Sequence, residues 1–222
     1  MKSKTLLIAA AALAAGVMSS SAAVYSQNVV GYVNVVCPAN AVALISNPLN
    51  LDGVNCVTNI FANVPKGTIV QIWNGAGYDG MSRSLIGAGA WSANAATNFI
   101  PPGKGFFIKT PSLFTNTFVG SVIPAVGGTN SLATLANTVL LVGSPLPVSG
   151  TVTNAVDQGV GALNLANMPK GTIIQIWNGS GYTGISRSLI GAGVWSANPT
   201  ISLAQGFFIK TPVATNWVQS LP

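Results

Sequence analysis

The chain has 222 residues, of which nine are Lys or Arg, three are Asp and none is Glu or His. Charged residues make up 5%, against roughly a quarter of an average globular protein. Without histidine there is no Ser-His-Asp or Cys-His arrangement, no imidazole proton shuttle and no ordinary zinc cage. Asp52, Asp79 and Asp157 are too scattered to form a calcium site without heavy use of carbonyls. The composition therefore argues against an enzyme and against a metal or other cofactor.

The chain begins with the pattern of a secretory leader. Lys2 and Lys4 precede the apolar run Leu6 to Val17, and Ser21-Ala22-Ala23 supplies small residues for cleavage. The run falls short of the roughly 20 apolar residues that span a bilayer, so cleavage after Ala23 is expected and residues 1–23 take no part in the fold. The expected location is outside the cytoplasm: extracellular, cell-surface or periplasmic. The remaining seven bases, Lys66, Arg83, Lys104, Lys109, Lys170, Arg187 and Lys210, stand singly. A stripe that tracks nucleic-acid phosphates is not expected. No later stretch is long and apolar enough for a transmembrane helix.

Cys37 and Cys56 both fall in the first half. In an exported protein an even pair favours one disulfide closing a short loop, with two buried free thiols as the alternative.

The chain is written twice. Residues 64–94 and 168–198 are identical at 25 of 31 positions at an offset of 104 residues. Gly105-Phe106-Phe107-Ile108-Lys109-Thr110-Pro111 returns as Gly206-Phe207-Phe208-Ile209-Lys210-Thr211-Pro212, and Ala39–Leu49 returns more loosely as Ala136–Leu146. Two tandem homologous units are expected, at 24–122 and 123–222, joined through Gly120 to Thr129.

Within each unit the pattern is β. Thr68–Trp73 is rich in β-branched and aromatic residues, and Asn74-Gly75-Ala76-Gly77 follows as a turn before the chain returns at Tyr78. Further strands are expected at Val29–Val36, Val42–Ser46, Ser82–Ile86, Gly105–Lys109 and Thr117–Val122. Parity places Ile69, Gln71 and Trp73 on one face of the first strand and Val70 and Ile72 on the other, which suggests cover on both sides. Phe106 and Ile108 share one face of their strand, Phe107 and Lys109 the opposite one. Single helical turns fit Asn59–Asn63 and Leu163–Asn167. The expected fold is all-β, with each unit a β-sandwich or small barrel.

Several segments together resemble a group of exported proteins of Verrucomicrobia-type bacteria. These are Gln27–Val35, Leu44–Leu49, the Trp-Asn-Gly-x-Gly-Tyr hairpin, Pro102–Ile108 and Ala214–Val218. The resemblance covers essentially the whole chain after the leader. It implies a secreted β-rich protein and carries no catalytic or binding residues across.

Each unit repeats one aromatic and polar set: Trp73, Asn74, Tyr78, Arg83 and Trp91, then Trp177, Asn178, Tyr182, Arg187 and Trp195. Exposed Trp and Tyr faces stack on sugar rings while Asn and Arg bond hydroxyls. Alternatively, the tryptophans are core and the asparagines only shape turns. With so few acids, the arginines are expected to meet backbone carbonyls or solvent. Pro65-Lys66-Gly67-Thr68 lacks the spacing of a phosphate loop. The functional expectation is a secreted, non-enzymatic surface, matrix or envelope protein that acts by self-association. The alternative is a module that binds surface glycan through the paired aromatic sets.

Overall fold

The computed structural model describes residues 30–123, 128–153 and 163–220. The expected leader, residues 124–127 of the expected linker and Asp157 lie outside them. The fold is almost entirely β. The first half contains β1 (Val30–Cys37), β2 (Val42–Ser46), β3 (Ile69–Trp73), β4 (Tyr78–Ser82), β5 (Gly105–Lys109) and β6 (Phe114–Ser121). The second contains β7 (Thr129–Thr134), β8 (Val139–Gly143), β9 (Gly150–Thr151), β10 (Ile173–Trp177), β11 (Tyr182–Ser186), β12 (Thr200–Ile201), β13 (Gly206–Lys210) and β14 (Thr215–Ser220). Among the described residues, helix is confined to single turns at Val57–Ile60, Ala93–Ala96 and Leu165–Asn167.

Each half is built around an antiparallel four-stranded sheet, ordered β2-β5-β3-β4 in the first and β8-β13-β10-β11 in the second. A two-stranded antiparallel ribbon accompanies each, β1 with β6 and β7 with β14. The second half adds the short pair β9-β12. Registers correspond as well: Leu44 faces Phe107 across β2 and β5, and Leu141 faces Phe208 across β8 and β13. Between ribbon and sheet the chain turns at Asn40 and Asn137, each in the left-handed region that Asn tolerates, with its N–H on the carbonyl of Thr110 or Thr211.

Period-two alternation places the core. In β6 the side chains of Asn116 and Phe118 are buried while Thr115, Thr117 and Val119 face outward. In β5, Phe106 and Ile108 enter a large apolar cluster, and Phe207 and Ile209 of β13 join the same cluster from the second half. That cluster runs through both halves. Along β3, Val70 and Ile72 are buried but Ile69 and Gln71 are exposed, so the strand is not covered on both sides as expected; only Trp73 meets a second layer.

Two other expectations change. Ser82–Ile86 is not a strand: β4 ends at Ser82, and Leu85 and Ile86 project from a loop. Beyond β4 the chain closes a tight loop instead, Arg83 bridging Trp91 and Ser84 N–H donating to the carbonyl of Ala90. Cys37 and Cys56 are free, buried thiols rather than a disulfide. Cys37 closes β1 opposite Phe114 inside the main core, whereas Cys56 pairs with Phe99 and shares a hydrogen with Thr58 Oγ1 at 3.1 Å. They belong to different strand neighbourhoods, and each is already packed.

Candidate functional site

The residues singled out in the sequence fall into three places. Trp73, Tyr78, Trp177 and Tyr182 come together with Phe107 and Phe208 where the two four-stranded sheets meet. Their rings form a closed cycle. Trp73 meets Tyr78 at 5.1 Å between centroids, Tyr78 meets Phe107 at 5.6 Å and Phe107 meets Trp177 at 5.9 Å. The second half repeats those spacings, with Trp177 to Tyr182 at 5.1 Å, Tyr182 to Phe208 at 5.6 Å and Phe208 back to Trp73 at 5.9 Å. All six contacts are edge-to-face, the arrangement that the ring quadrupoles favour.

Hydrogen bonds lock the cycle across the halves. Trp73 Nε1 donates to the carbonyl of Val139 at 2.9 Å, and Trp177 Nε1 donates to the carbonyl of Val42 at 2.9 Å. Each half thus supplies an indole to the first residue of the other half's sheet-edge strand. Leu44 and Leu141 complete a small apolar cluster under the rings. Burial and the facing Tyr78 phenol push the Tyr182 hydroxyl up to about 12.

Around this cluster the halves also join by backbone. Ser46 N–H donates to the carbonyl of Ala204 at 2.8 Å, and Gly143 N–H donates to that of Gly103 at 3.0 Å. The crossing is tight enough to break the likeness of the halves. Ser46 and Gly143 occupy matching positions at the ends of β2 and β8. A Cβ on Gly143 would lie 2.0 Å from Ser46 Oγ, so only one of the two positions can carry a side chain.

Asn74 and Asn178 shape turns. Asn74 Oδ1 accepts from the N–H groups of Ala76 and Gly77 at 3.1 and 2.8 Å. Asn178 Oδ1 does the same for Ser180 and Gly181 at 3.1 and 2.9 Å. Trp91 packs against the main core and Trp195 lies within it, away from the cluster that holds Trp73 and Trp177. The indole nitrogens of both are buried and unpaired. The five-residue sets therefore do not converge on one sugar-sized surface. Tyr78 and Tyr182, each 43% exposed, border a shallow depression of about 250 Å³ together with the half-buried Trp73, while Asn74 and Asn178 are exposed on their turns.

Arg83 and Arg187 build the third feature: both meet backbone carbonyls, as expected, but the loop that they close was not read from the sequence. Arg83 Nε donates to the carbonyl of Gly89 at 2.9 Å, and Nη1 donates to that of Val64. Lys66 Nζ donates to the carbonyl of Gly87 at 2.6 Å, and Ser84 N–H donates to that of Ala90 at 2.8 Å. The second half repeats each bond: Arg187 to Gly193 at 2.8 Å and to Met168, Lys170 to Gly191 at 2.5 Å, and Ser188 to Val194 at 2.9 Å. Gly89 has a positive φ, and a Cβ there would come within 2.8 Å of the Lys66 stem, so glycine lets the lysine lie across the loop.

The loops so held display Leu85 and Ile86 at 74% and 84% exposure, and Leu189 and Ile190 at 73% and 84%. Four cationic side chains are spent on fixing backbone beneath these apolar tips. The sequence carried a signal for this: Ser-Leu-Ile-Gly-Ala-Gly is repeated without change, with its apolar pair bounded by serine and glycines.

Among the described residues there is no cluster of three or more His, Cys, Asp or Glu side chains able to hold a metal ion, and no helix is long and apolar enough to cross a membrane. No family model, curated protein or solved structure matches the chain.

Proposed function

We propose that this is an exported, non-enzymatic surface, matrix or envelope protein that acts by association with further copies of itself through the two apolar loops. The observation that carries this reading is the duplicated, tethered pair of tips, Leu85-Ile86 and Leu189-Ile190. An apolar side chain left in water forfeits roughly 1.5–3 kcal/mol that burial would return. Here four such side chains are held out by the same set of hydrogen bonds in both halves. Two contact loops on one body allow each molecule to meet more than one neighbour, which is what a matrix or layer requires. Neighbouring large apolar side chains held out together on a fixed loop offer a contact surface to a partner. The low charge of the chain weakens the repulsion that would otherwise keep copies apart.

The glycan reading has less to stand on, because the indoles it needs are engaged between the halves. Sedimentation velocity of the leader-free protein over a wide concentration range tests the proposal. Wild type is expected to associate as concentration rises, and the quadruple variant L85S/I86S/L189S/I190S to sediment as monomer throughout. Equal association in both proteins, or monomer in both, overturns it.

A further inference from the structure

The first half has an open cleft where the second is filled. In the first, β6 and the segment around Asn59 and Ile60 enclose about 390 Å³, walled also by Leu49 and Phe114. That volume falls within the range of ordinary ligand sites. No Lys, Arg, Asp or Glu lines it. Asn116 does line it; its side chain is only 4% exposed, and its Nδ2 has no hydrogen-bond partner. A buried amide hydrogen left unpaired costs free energy and asks for an acceptor.

The corresponding positions in the second half show how such a space closes. The strand registers match Asn116 to Trp217, which lies fully buried and donates from Nε1 to the carbonyl of Leu163 at 2.6 Å. Asn164 Nδ2 then donates to the carbonyl of Val218 at 2.6 Å, which covers the outer edge of β14. The first half has Asn59 and Ile60 at those flanking positions and makes neither bond.

The open side of β6 is a strand edge. Ser121 exchanges both backbone bonds with Asn50 on the side away from β1. By antiparallel alternation, the backbone groups of Val119, Thr117 and Thr115 point the same way, into the cleft. No backbone bond from the described residues meets them there.

We propose that this cleft binds an uncharged, extended peptide segment of a partner protein, added as a strand along β6, with Asn116 donating to an acceptor on that segment. Evenly spaced free N–H and C=O groups match a strand, and the neutral walls would leave any charge on the ligand unpaired. Trp217 and Asn164 do for β14 from within the chain what the peptide does for β6 from outside.

An array of capped hexapeptides composed only of Ser, Thr, Asn, Val and Ala, probed with the leader-free protein, supplies the test. Some members are expected to bind wild type and to lose at least about tenfold in affinity with N116W, which refills the space as Trp217 does. T117P is the second variant, because it removes a backbone donor that faces the cleft, at a place where an edge strand tolerates proline; T117V, which loses only the hydroxyl bond to Asn34 Oδ1, is its control and is expected to bind as wild type. The same loss is expected with T117P, and also when the binding peptides are N-methylated at alternate residues. Absence of any binder, binding undiminished by T117P, or displacement by cellobiose rather than by unlabelled peptide overturns the proposal.

Discussion

Replacing Trp73 separates an indole that joins the halves from one that waits for a ligand. Trp73→Phe keeps a ring against Phe208 and Tyr78 but removes the donor to Val139, whose carbonyl lies 2.9 Å from Nε1. The net loss of one such bond is about 1 kcal/mol. Trp73→Ala removes the ring as well. A fully buried Trp→Ala costs about 3–5 kcal/mol, and Trp73 is half-buried, so about 3 kcal/mol is expected with the hydrogen bond included. Trp177→Ala should cost the same, because its contacts repeat those of Trp73 at matching distances. Trp73 packs on Phe208 and Trp177 on Phe107, two rings 6.3 Å apart in one cluster, so the double variant should depart from additivity by about 0.5–3 kcal/mol. The assay is equilibrium urea unfolding followed by tryptophan fluorescence, with the slope as well as the midpoint recorded. Losses below about 0.5 kcal/mol for Trp73→Ala would refute the reasoning and return Trp73 to the surface.

Further consequences can be checked on the same protein. Gly143→Ser should destabilise by about 1–3 kcal/mol through overpacking against Ser46, and S46G/G143S should recover most of that loss in the same unfolding assay; a swap no better than the single change contradicts the crossing geometry. Both cysteines should resist thiol reagent in the native state and react stoichiometrically once unfolded, and mass analysis without reductant should show no loss of two hydrogens. Burial pushes the Cys37 thiol up to about 11 from 9.0, and Tyr182 rises from 10.0 to about 12. Both raised values mean that the folded state holds its proton longer than the unfolded chain. Their contribution is therefore complete below pH 9 and is lost as pH rises from about 9 to 12. Stability measured by urea midpoint should fall across that window, and a flat profile there would contradict it.

Part of this was legible in the residues. Val42–Ser46 and Gly105–Lys109 were placed to the residue, because β-branched and aromatic runs ended at turn formers. The parity of Phe106 and Phe107 gave the two faces of β5 correctly. Parity does not say what lies on each face, however, and the second face of β5 is covered by the other half of the chain, a long-range fact. For the aromatic sets, the alternative of core tryptophans and turn-forming asparagines matches their places, but the sequence does not show that Trp73 and Trp91, close along the chain, serve different layers. Ser82–Ile86 failed on a simpler ground. Leu85 and Ile86 suggest burial by hydrophobicity alone, and only the tethers from Arg83 and Lys66 show that they are held outside. The cleft at β6 depends on Asn116 standing where the second half has Trp217, a difference that acquires meaning only once the strand registers are known.

Hydrogen–deuterium exchange of residues 24–222, compared between dilute and concentrated solution, reports where copies touch. Association through the apolar tips predicts new protection at residues 84–90 and 188–194 together, absent when Leu85, Ile86, Leu189 and Ile190 are serine. Protection confined to other surfaces, or none in either loop while the protein associates, would contradict it.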